Sequence, residues 1–314
     1  MDISIIIINW NTRDLLLSCL SSIYENISVT IGYEVIVVDN GSTDGSVDAV
    51  KKAYPQVIVI ENRKNLGFAA ANNIALKKIT GRYALLLNTD CILTKGSVDE
   101  LFNFMEAHTD AGLCCGQLLN PDGSKQNSFA NFPCLLSYLS NESLLKLVWP
   151  SRYPSKYRSY PAPIKVDSCI GACMMIRKKA LDEIGAFDED YFFFFEETDL
   201  CYRMKEAGWN IYFVPSARIY HMQGKSVGSG ALPRAMFYRS RYIFLKKHYP
   251  RKFIIYYIVI FFRLLLNGLI NLAGTIISLG LNRSTKDRLV RCAYLILWHI
   301  KGCPQLYPDK GGKE

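Results

Sequence analysis

Short apolar runs punctuate the first third of the chain: Ile3–Ile8, Glu34–Val38, Val57–Ile60 and Tyr83–Leu87. Each is too short for an ordinary helix and is rich in β-branched or leucine side chains, the composition of parallel strands buried on both faces. Between them the apolar positions change to helical spacing. Leu16, Leu20, Ile23 and Tyr24 share one face, Gly67 to Ile79 is alanine-rich, and Ser97-Val-Asp-Glu100 has the form of a capping box before the next helix. Strand and helix in alternation predict an α/β fold: a mostly parallel central sheet with flanking helices.

Asn120 to Ile164 breaks the rhythm. It is rich in Pro, Ser, Asn and Tyr and predicts long loops over a site, where acceptors are commonly recognised. The pattern resumes with a strand-like run over Cys169–Ile176 and an aromatic stretch over Tyr191–Phe195. Glu196-Glu197-Thr198-Asp199 then opens a helix that stops at Gly208, and Asn210–Val214 reads as a further strand.

The tail follows another rule. Phe253–Leu281 is 29 residues with a single charge, Arg263, and a second apolar stretch covers Ala293–Ile300. Lys246, Lys247, Arg251 and Lys252 precede the long segment; Arg283, Lys286, Arg288 and Arg291 follow it. The segment is long enough to cross a hydrocarbon core of about 30 Å, but a simple span would place one basic flank on the wrong side. Arg263, Asn267, Asn271 and Thr275 also recur every four residues as a polar stripe. An interfacial, peripheral or monotopic helix whose basic residues meet anionic membrane lipids fits this pattern better. The alternative is an amphipathic hairpin packed on the rest of the chain or on a second subunit, which would make a homodimer. Two regions are therefore expected, residues 1–250 and a membrane-associating region over 251–314.

Charge agrees with that division. The 314 residues carry a net +9, yet from Leu232 onward there are 15 Lys and Arg against 3 Asp and Glu, and the preceding residues are slightly acidic. A basic region accompanying an apolar helix, without an aromatic-studded groove, argues for lipid and against nucleic acid. The ten cysteines are scattered without a CxxC pair, which predicts buried thiols rather than disulfides or a zinc site. No basic, apolar leader opens the sequence, so the N-terminal part is expected in the cytoplasm.

Ligands of open α/β sheets bind beyond the carboxyl ends of the strands. That rule brings three polar clusters to one edge: Asn9-Trp10-Asn11, Asp39-Asn40-Gly41-Ser42 and Asn88-Thr89-Asp90. Asp39 could cap its turn or accept from a nucleotide, and Trp10 could stack on a base or pack. Asp90, at the exit of a buried strand, is placed to hold a hard divalent cation bridging two phosphates. Glu196, Glu197 and Asp199 lie at a helix start, where the dipole favours carboxylates. One of them could serve as a general base behind the aromatic stretch. His221 precedes Gly224-Lys225-Ser226, a basic loop suited to diphosphate oxygens.

In this order the pieces resemble family 2 glycosyltransferases, particularly the bacterial rhamnosyltransferase-like branch. The similarity runs through IIIINWN (5–11), VVDNGSTDGS (37–46), NLGFAAANN (65–73), LLLNTD (85–90), GACMMIRK (171–178), FDEDYFFFFEETDLCYR (187–203) and HMQGKS (221–226). The resemblance implies the GT-A nucleotide-diphospho-sugar transferase fold over 1–250 and an inverting, metal-dependent hexosyltransferase. Its donor would be dTDP-rhamnose or a UDP-sugar. Its acceptor would be a lipid-linked saccharide or polysaccharide, in cell-surface glycan synthesis at the cytoplasmic face of a bacterial inner membrane.

By position, Trp10, Asn11 and Asp39 would contact the donor's base and ribose. Asn65, Gly67 and Asn73 lie in the stretch lining the nucleotide pocket, and Lys225 would meet the diphosphate. Asp90 matches the last acid of the family's metal motif, whose first position is Asn88 here instead of Asp, a residue that would contact the donor. With His221, Asp90 would bind Mg2+ or Mn2+. The family's usual catalytic Asp aligns with Glu197, with Asp199 and Glu196 as substitutes. Two rivals compete: a nucleotidyltransferase, which would ordinarily carry a Gly-rich phosphate loop after the first strand, and a non-catalytic nucleotide-sugar-binding membrane scaffold, motivated by Asn88 and Glu197.

Overall fold

The structure, a computed structural model, describes residues 1–140, 142–155, 158–222, 230–279 and 281–306. The chain divides into two compact units, one of residues 1–132 with 150–226, the other of 133–149 with 227–314.

The first unit is built on a mixed sheet. In chain order its elements are β1 (Ile3–Asn9), α1 (Arg13–Asn26), β2 (Tyr33–Asp39), α2 (Ser46–Ala53), β3 (Ile58–Glu61), α3 (Phe68–Leu76), β4 (Tyr83–Leu87), β5 (Cys91–Leu93), α4 (Ser97–Ala107), β6 (Ala111–Leu119) and β7 (Phe129–Ala130). After α5 (Leu135–Leu139) and α6 (Glu142–Val148), which belong to the second unit, come β8 (Ile164–Lys165), β9 (Ser168–Cys169), β10 (Cys173–Arg177), α7 (Lys178–Ile184), α8 (Glu196–Glu206) and β11 (Asn210–His221). The strand order is β3-β2-β1-β4-β10-β6-β11-β5, with β8 added on β11. Strands β3, β2, β1 and β4 run parallel, as the apolar runs predict. β10 is antiparallel to both its neighbours, β4 and β6.

Burial on both faces explains the unbroken isoleucines of β1. Ile3, Ile5 and Ile7 join the core under α1 and α4, and Ile6 joins the core under α3 and α8. Each such side chain contributes about 1.5–3 kcal/mol relative to exposure. Seven of the ten cysteines are buried free thiols in this unit.

Two details of β11 and β5 position the site. The pairing of β11 with β6 shifts register between Val214 and Arg218, around Pro215, which has no N–H for the ladder. Gly116 of β6 accommodates the irregularity, since a Cβ there would meet the Ala217 carbonyl at 2.5 Å. Beyond the shift, β11 pairs antiparallel with β5 and sets His221 opposite Cys91.

Three local expectations change. The capping box at Ser97 does not form: Gly96 is the N-cap, in the left-handed region, and Ser97 is the first helical residue, its hydroxyl buried. The run Cys169–Ile176 is two strands, broken at Ile170–Ala172. Residues 133–149, expected as loops over the site, join the second unit.

That second unit adds α9 (Ala231–His248), α10 (Phe253–Ile277) and α11 (Arg283–Ile300). It starts well before residue 251 because α9 supplies Ala235, Tyr242 and Leu245 to a core shared with Tyr256, Ile260, Leu264, Leu295 and Trp298. Pro250–Ile277 is long and apolar enough to cross a membrane, judged by length and composition. Gly274 faces Thr285 and Gly268 faces Cys292 and Ile296, so α10 and α11 form an antiparallel hairpin. Arg263 is used within the unit: its guanidinium donates to the carbonyls of Ser137 and Tyr138 at the end of α5.

Candidate active site

Side chains at the carboxyl ends of β1, β2 and β4 form one connected rim. Asn9 Nδ2 donates to Asp39 Oδ1 at 2.7 Å, and the Gly41 and Ser42 amides donate to Asp39 Oδ2. Asp39 thus shapes its own turn and keeps acceptor capacity on Oδ1 for one further partner. Thr12 Oγ1 bonds both Asn9 Oδ1 and Thr89 Oγ1, tying β1 to the turn after β4. Asn11 sits at a φ of 53° with its amide oxygen accepting from Thr43 N. Trp10 beside it leaves half of its surface in solvent, an open ring face at the strand end.

The rim continues through Asn40, which donates to Asn65 Oδ1 and to the Gly67 carbonyl. Gly67 has a φ of +83°, and a Cβ there would lie 2.5 Å from the Phe192 carbonyl. Phe68 N donates to the same carbonyl at 2.8 Å. Only glycine lets this turn press against the aromatic stretch. The rings of Phe68, Phe193 and Phe194 then meet edge to face. Asn73, also expected at the donor pocket, lies on α3. It is buried, and its amide donates to the Phe187 carbonyl and accepts from Phe187 N, pinning the segment that leads into the aromatics.

Phe194 and Phe195 both hold positive φ, 69° and 68°. Bulky residues there cost about 1–3 kcal/mol each, strain that packing must sustain and that concentrates at functional sites. It delivers the chain into α8 with Glu196 and Glu197 at the first positions. Glu196 is 4% exposed, and its Oε2 has no hydrogen-bond partner among the described residues. Burial first, and the neighbouring Glu197 second, push its carboxyl well above the ordinary range. Glu197 is half-buried beside Gly171, whose Cβ position lies 3.8 Å from Glu197 Cγ. Loss of water raises the Glu197 carboxyl to about 7. Asp199 is not free to act as a base. It is fully buried and ion-paired with Arg203 Nε at 2.8 Å, and Arg203 also binds the carbonyls of Ile184 and Ala186. Asp199 is a brace for the loop before the site.

Gly171 and Ala172 close the rim. The Ala172 carbonyl accepts from Asn88 N and from the Cys91 thiol, while Gly171 faces Glu197. The contacts therefore return to the turn after β4, where Asp90 is 2% exposed. Asp90 Oδ1 lies 3.4 Å from His221 Nε2, a proximity set by the β5–β11 pairing. Asp90, Cys91 and His221 each present a ligand atom within 4.8 Å of the others. Cys91 does not suit a ligand role, since its thiol is a donor to Ala172 and burial pushes it well above its ordinary value. Carboxylate and imidazole remain, a donor set that would suit a hard or borderline divalent cation. Asn88 is half-buried, and its backbone ties this turn to Ala172 and Cys91. Lys225 lies outside the described residues.

Hydrogen bonds and close contacts link the turns that carry Asp39, Asp90 and Glu197, with His221 beside Asp90, and recruit Thr12, Asn40, Thr89, Gly171 and Ala172, to which the sequence pattern assigned no role. The break between β9 and β10 was the available signal for the last two, since a glycine inside a strand-like run marks a close approach. A crevice of about 160 Å³ elsewhere, lined by Leu76, Lys77, Lys178 and Asp182, holds none of these groups.

Residues 4–185 match the family described as Glycosyl transferase family 2. Over 227 residues the chain is 31% identical to an N-acetylglucosaminyl-diphospho-decaprenol L-rhamnosyltransferase of Mycobacterium tuberculosis, covering 67% of this chain and 74% of the relative. Among solved structures, it is similar to a mannosyltransferase from Pyrobaculum calidifontis in complex with GDP-Man and Mn2+. That match has a TM-score of 0.58 at 18% identity, over 95% of this chain and 86% of the other. S. aureus TarS matches with a TM-score of 0.53 at 16% identity, over 77% of this chain, but the chain spans only 39% of TarS. At such identities the structural likeness concerns the fold.

Proposed function

The chain belongs to glycosyl transferase family 2, a glycosyltransferase of the GT-A fold, and on that premise we propose that it moves a sugar, rhamnose from dTDP-rhamnose in the first instance and otherwise the sugar of a UDP donor, to a lipid-linked saccharide or polysaccharide, with inversion at the anomeric carbon. The observation that carries the reading is the carboxylate–imidazole pair of Asp90 and His221 on the turn whose Asn88 N–H bonds the Ala172 carbonyl, one residue from the Gly171 beside Glu197, and we take these groups to share one cleft. The acceptor class is supported by the mycobacterial relative, whose name specifies a diphospho-decaprenol-linked sugar.

Each residue has a physical part. Trp10 offers its exposed face to the base, and Asp39 Oδ1 an acceptor to the ribose. Asp90 and His221 would hold Mg2+ or Mn2+, which supplies charge neutralisation for the departing nucleoside diphosphate. Glu197 takes the proton from the acceptor hydroxyl as it attacks, and a carboxyl near 7 is matched to that task at neutral pH. Burial and the neighbouring Glu197 raise the Glu196 carboxyl, which disfavours a second negative charge beside Glu197. The Phe192–Phe195 wall limits water, which would otherwise compete as acceptor.

The second unit supports membrane attachment by lying on the surface. In the antiparallel hairpin, Arg283, Lys286, Arg288 and Arg291 of α11 run beside the C-terminal half of α10. Driving α10 through the bilayer would carry these charges into hydrocarbon, at about 2.5–3.5 kcal/mol each near the centre. Lying in the interface, α10 instead turns Ile255, Phe262, Leu266, Leu269 and Ile276 to the acyl chains, with the basic residues at lipid phosphates.

The test offers purified protein a panel of dTDP-, UDP- and GDP-sugars with a polyprenyl-diphospho-sugar acceptor and Mg2+ or Mn2+. One donor is expected to release nucleoside diphosphate in step with acceptor glycosylation, and EDTA to stop both. Turnover of no donor, or full activity in EDTA, would contradict the proposal.

A further inference from the structure

His221 Nδ1 lies 2.9 Å from Gln126 Oε1 across 95 residues of sequence, and the other end of the amide fixes the direction of that bond. Gln126 Nε2 is 2.6 Å from the His221 backbone carbonyl and 2.7 Å from Asn120 Oδ1. A carbonyl only accepts, so the NH2 group must face it and Oε1 must face the ring. Asn120 is oriented consistently, its Nδ2 donating to Ser124 Oγ. An amide oxygen also only accepts, so Nδ1 carries the ring hydrogen. In a neutral imidazole, Nε2 is then the nitrogen with the lone pair, and Nε2 is the atom 3.4 Å from Asp90 Oδ1.

Gln126 cannot readily turn away. It is 5% exposed, its backbone N–H donates to the Leu118 carbonyl, and its own carbonyl accepts from Gln117 Nε2. The tight turn Asn120–Ser124, with Gly123 at a φ of +80°, returns the chain so that Gln126 reaches β11.

We infer that Gln126 is a positioning residue that holds His221 in its Nδ1–H tautomer, so that Nε2 presents its lone pair to a divalent cation shared with Asp90. The inference rests on the cation reading above, but the tautomer exists independently of any cation. Partners of this kind orient a metal-binding imidazole, and their loss typically weakens metal affinity by about 10–100-fold.

Two measurements on the full chain test it. Long-range 1H–15N correlation at pH 8 without metal, with His221 assigned by loss of its signals in His221→Ala, is expected to show Nε2 unprotonated. Gln126→Met, similar in volume but without the acceptor, is expected to give mixed tautomers and about 10–100-fold weaker Mn2+ binding by electron paramagnetic resonance. Asn120→Ala leaves the His221 carbonyl to orient the amide, and is expected to keep both properties. A protonated Nε2 in the wild type, or Mn2+ affinity unchanged in Gln126→Met, overturns the inference. Wild-type protein that shows the expected tautomer but binds no Mn2+ removes the cation reading instead. The wild-type tautomer decides the matter even if Gln126→Met does not fold.

Discussion

Glutamine at position 197 is expected to lower kcat by about 10²–10⁴-fold, the range for loss of a general base, with donor affinity nearly unchanged. The substitution keeps the shape beside Gly171 and removes only the ability to take a proton. The wild-type carboxyl, raised to about 7 by burial, must be ionised to act, so kcat should climb as pH rises through about 7 and level off above it. The residual rate of Glu197→Gln should lack that rise. Stability runs the other way. A carboxyl raised in the folded state binds its proton more tightly there than in the unfolded chain, so its contribution is complete below about 4.5 and is lost as pH climbs to about 7. The variant should therefore gain melting temperature relative to wild type as pH passes that window. Steady-state rates from pH 5.5 to 9, with melting curves in the same buffers, read both effects. An unchanged kcat would remove Glu197 from the mechanism.

Removal of the carboxylate at position 90 is the second large effect. Asp90→Ala and Asp90→Asn are each expected to reduce kcat/KM by at least about 100-fold, the scale of a lost transition-state charge stabiliser. The asparagine variant matters because it preserves volume in a site that is 2% exposed, so a loss there reports charge and not packing. His221→Ala should move the Mn2+ concentration for half-maximal rate upward, with the donor KM following. Rates titrated with Mn2+ and with donor separate these cases. Equal rates in Asp90→Asn and wild type would contradict the assignment.

Legibility in the sequence varied with how local the determining physics is. β1, β2 and β4 could be read from apolar runs because burial on both faces leaves an uninterrupted signature, while β3, at the sheet edge with Ile58 exposed, shows only in its β-branched composition. The capping box at Ser97 misled because Gly96, in the left-handed region, already turns the chain into α4. Among three carboxylates at one helix start, nothing local distinguishes Asp199 from Glu197. The difference lies in Arg203, one turn on, which Asp199 binds, and in Gly171, which Glu197 faces. Asn73 lies in a family motif, and nothing in that motif announces that its amide closes on Phe187, 114 residues away. Gln126 was invisible for the same reason, although the Asn-Pro-Asp-Gly-Ser turn before it signals a chain reversal. Residues 133–149 read as loops because their apolar partners, Tyr256 among them, lie in helices beyond α9.

Family membership selects glycosyl transfer over the nucleotidyltransferase reading. Neither departure by itself favours the scaffold reading, since Asp90 still meets His221 and Glu197 still packs beside Gly171.

One diffraction experiment addresses the shared cleft directly: crystals grown with Mn2+ and the nucleoside diphosphate released in the donor assay, with data collected at the manganese edge. The anomalous peak is expected bonded to both Asp90 and His221 and to diphosphate oxygens, with Glu197 opening onto the same cavity. A manganese peak bound elsewhere, or a nucleotide seated away from the face that Glu197 lines, would contradict the account.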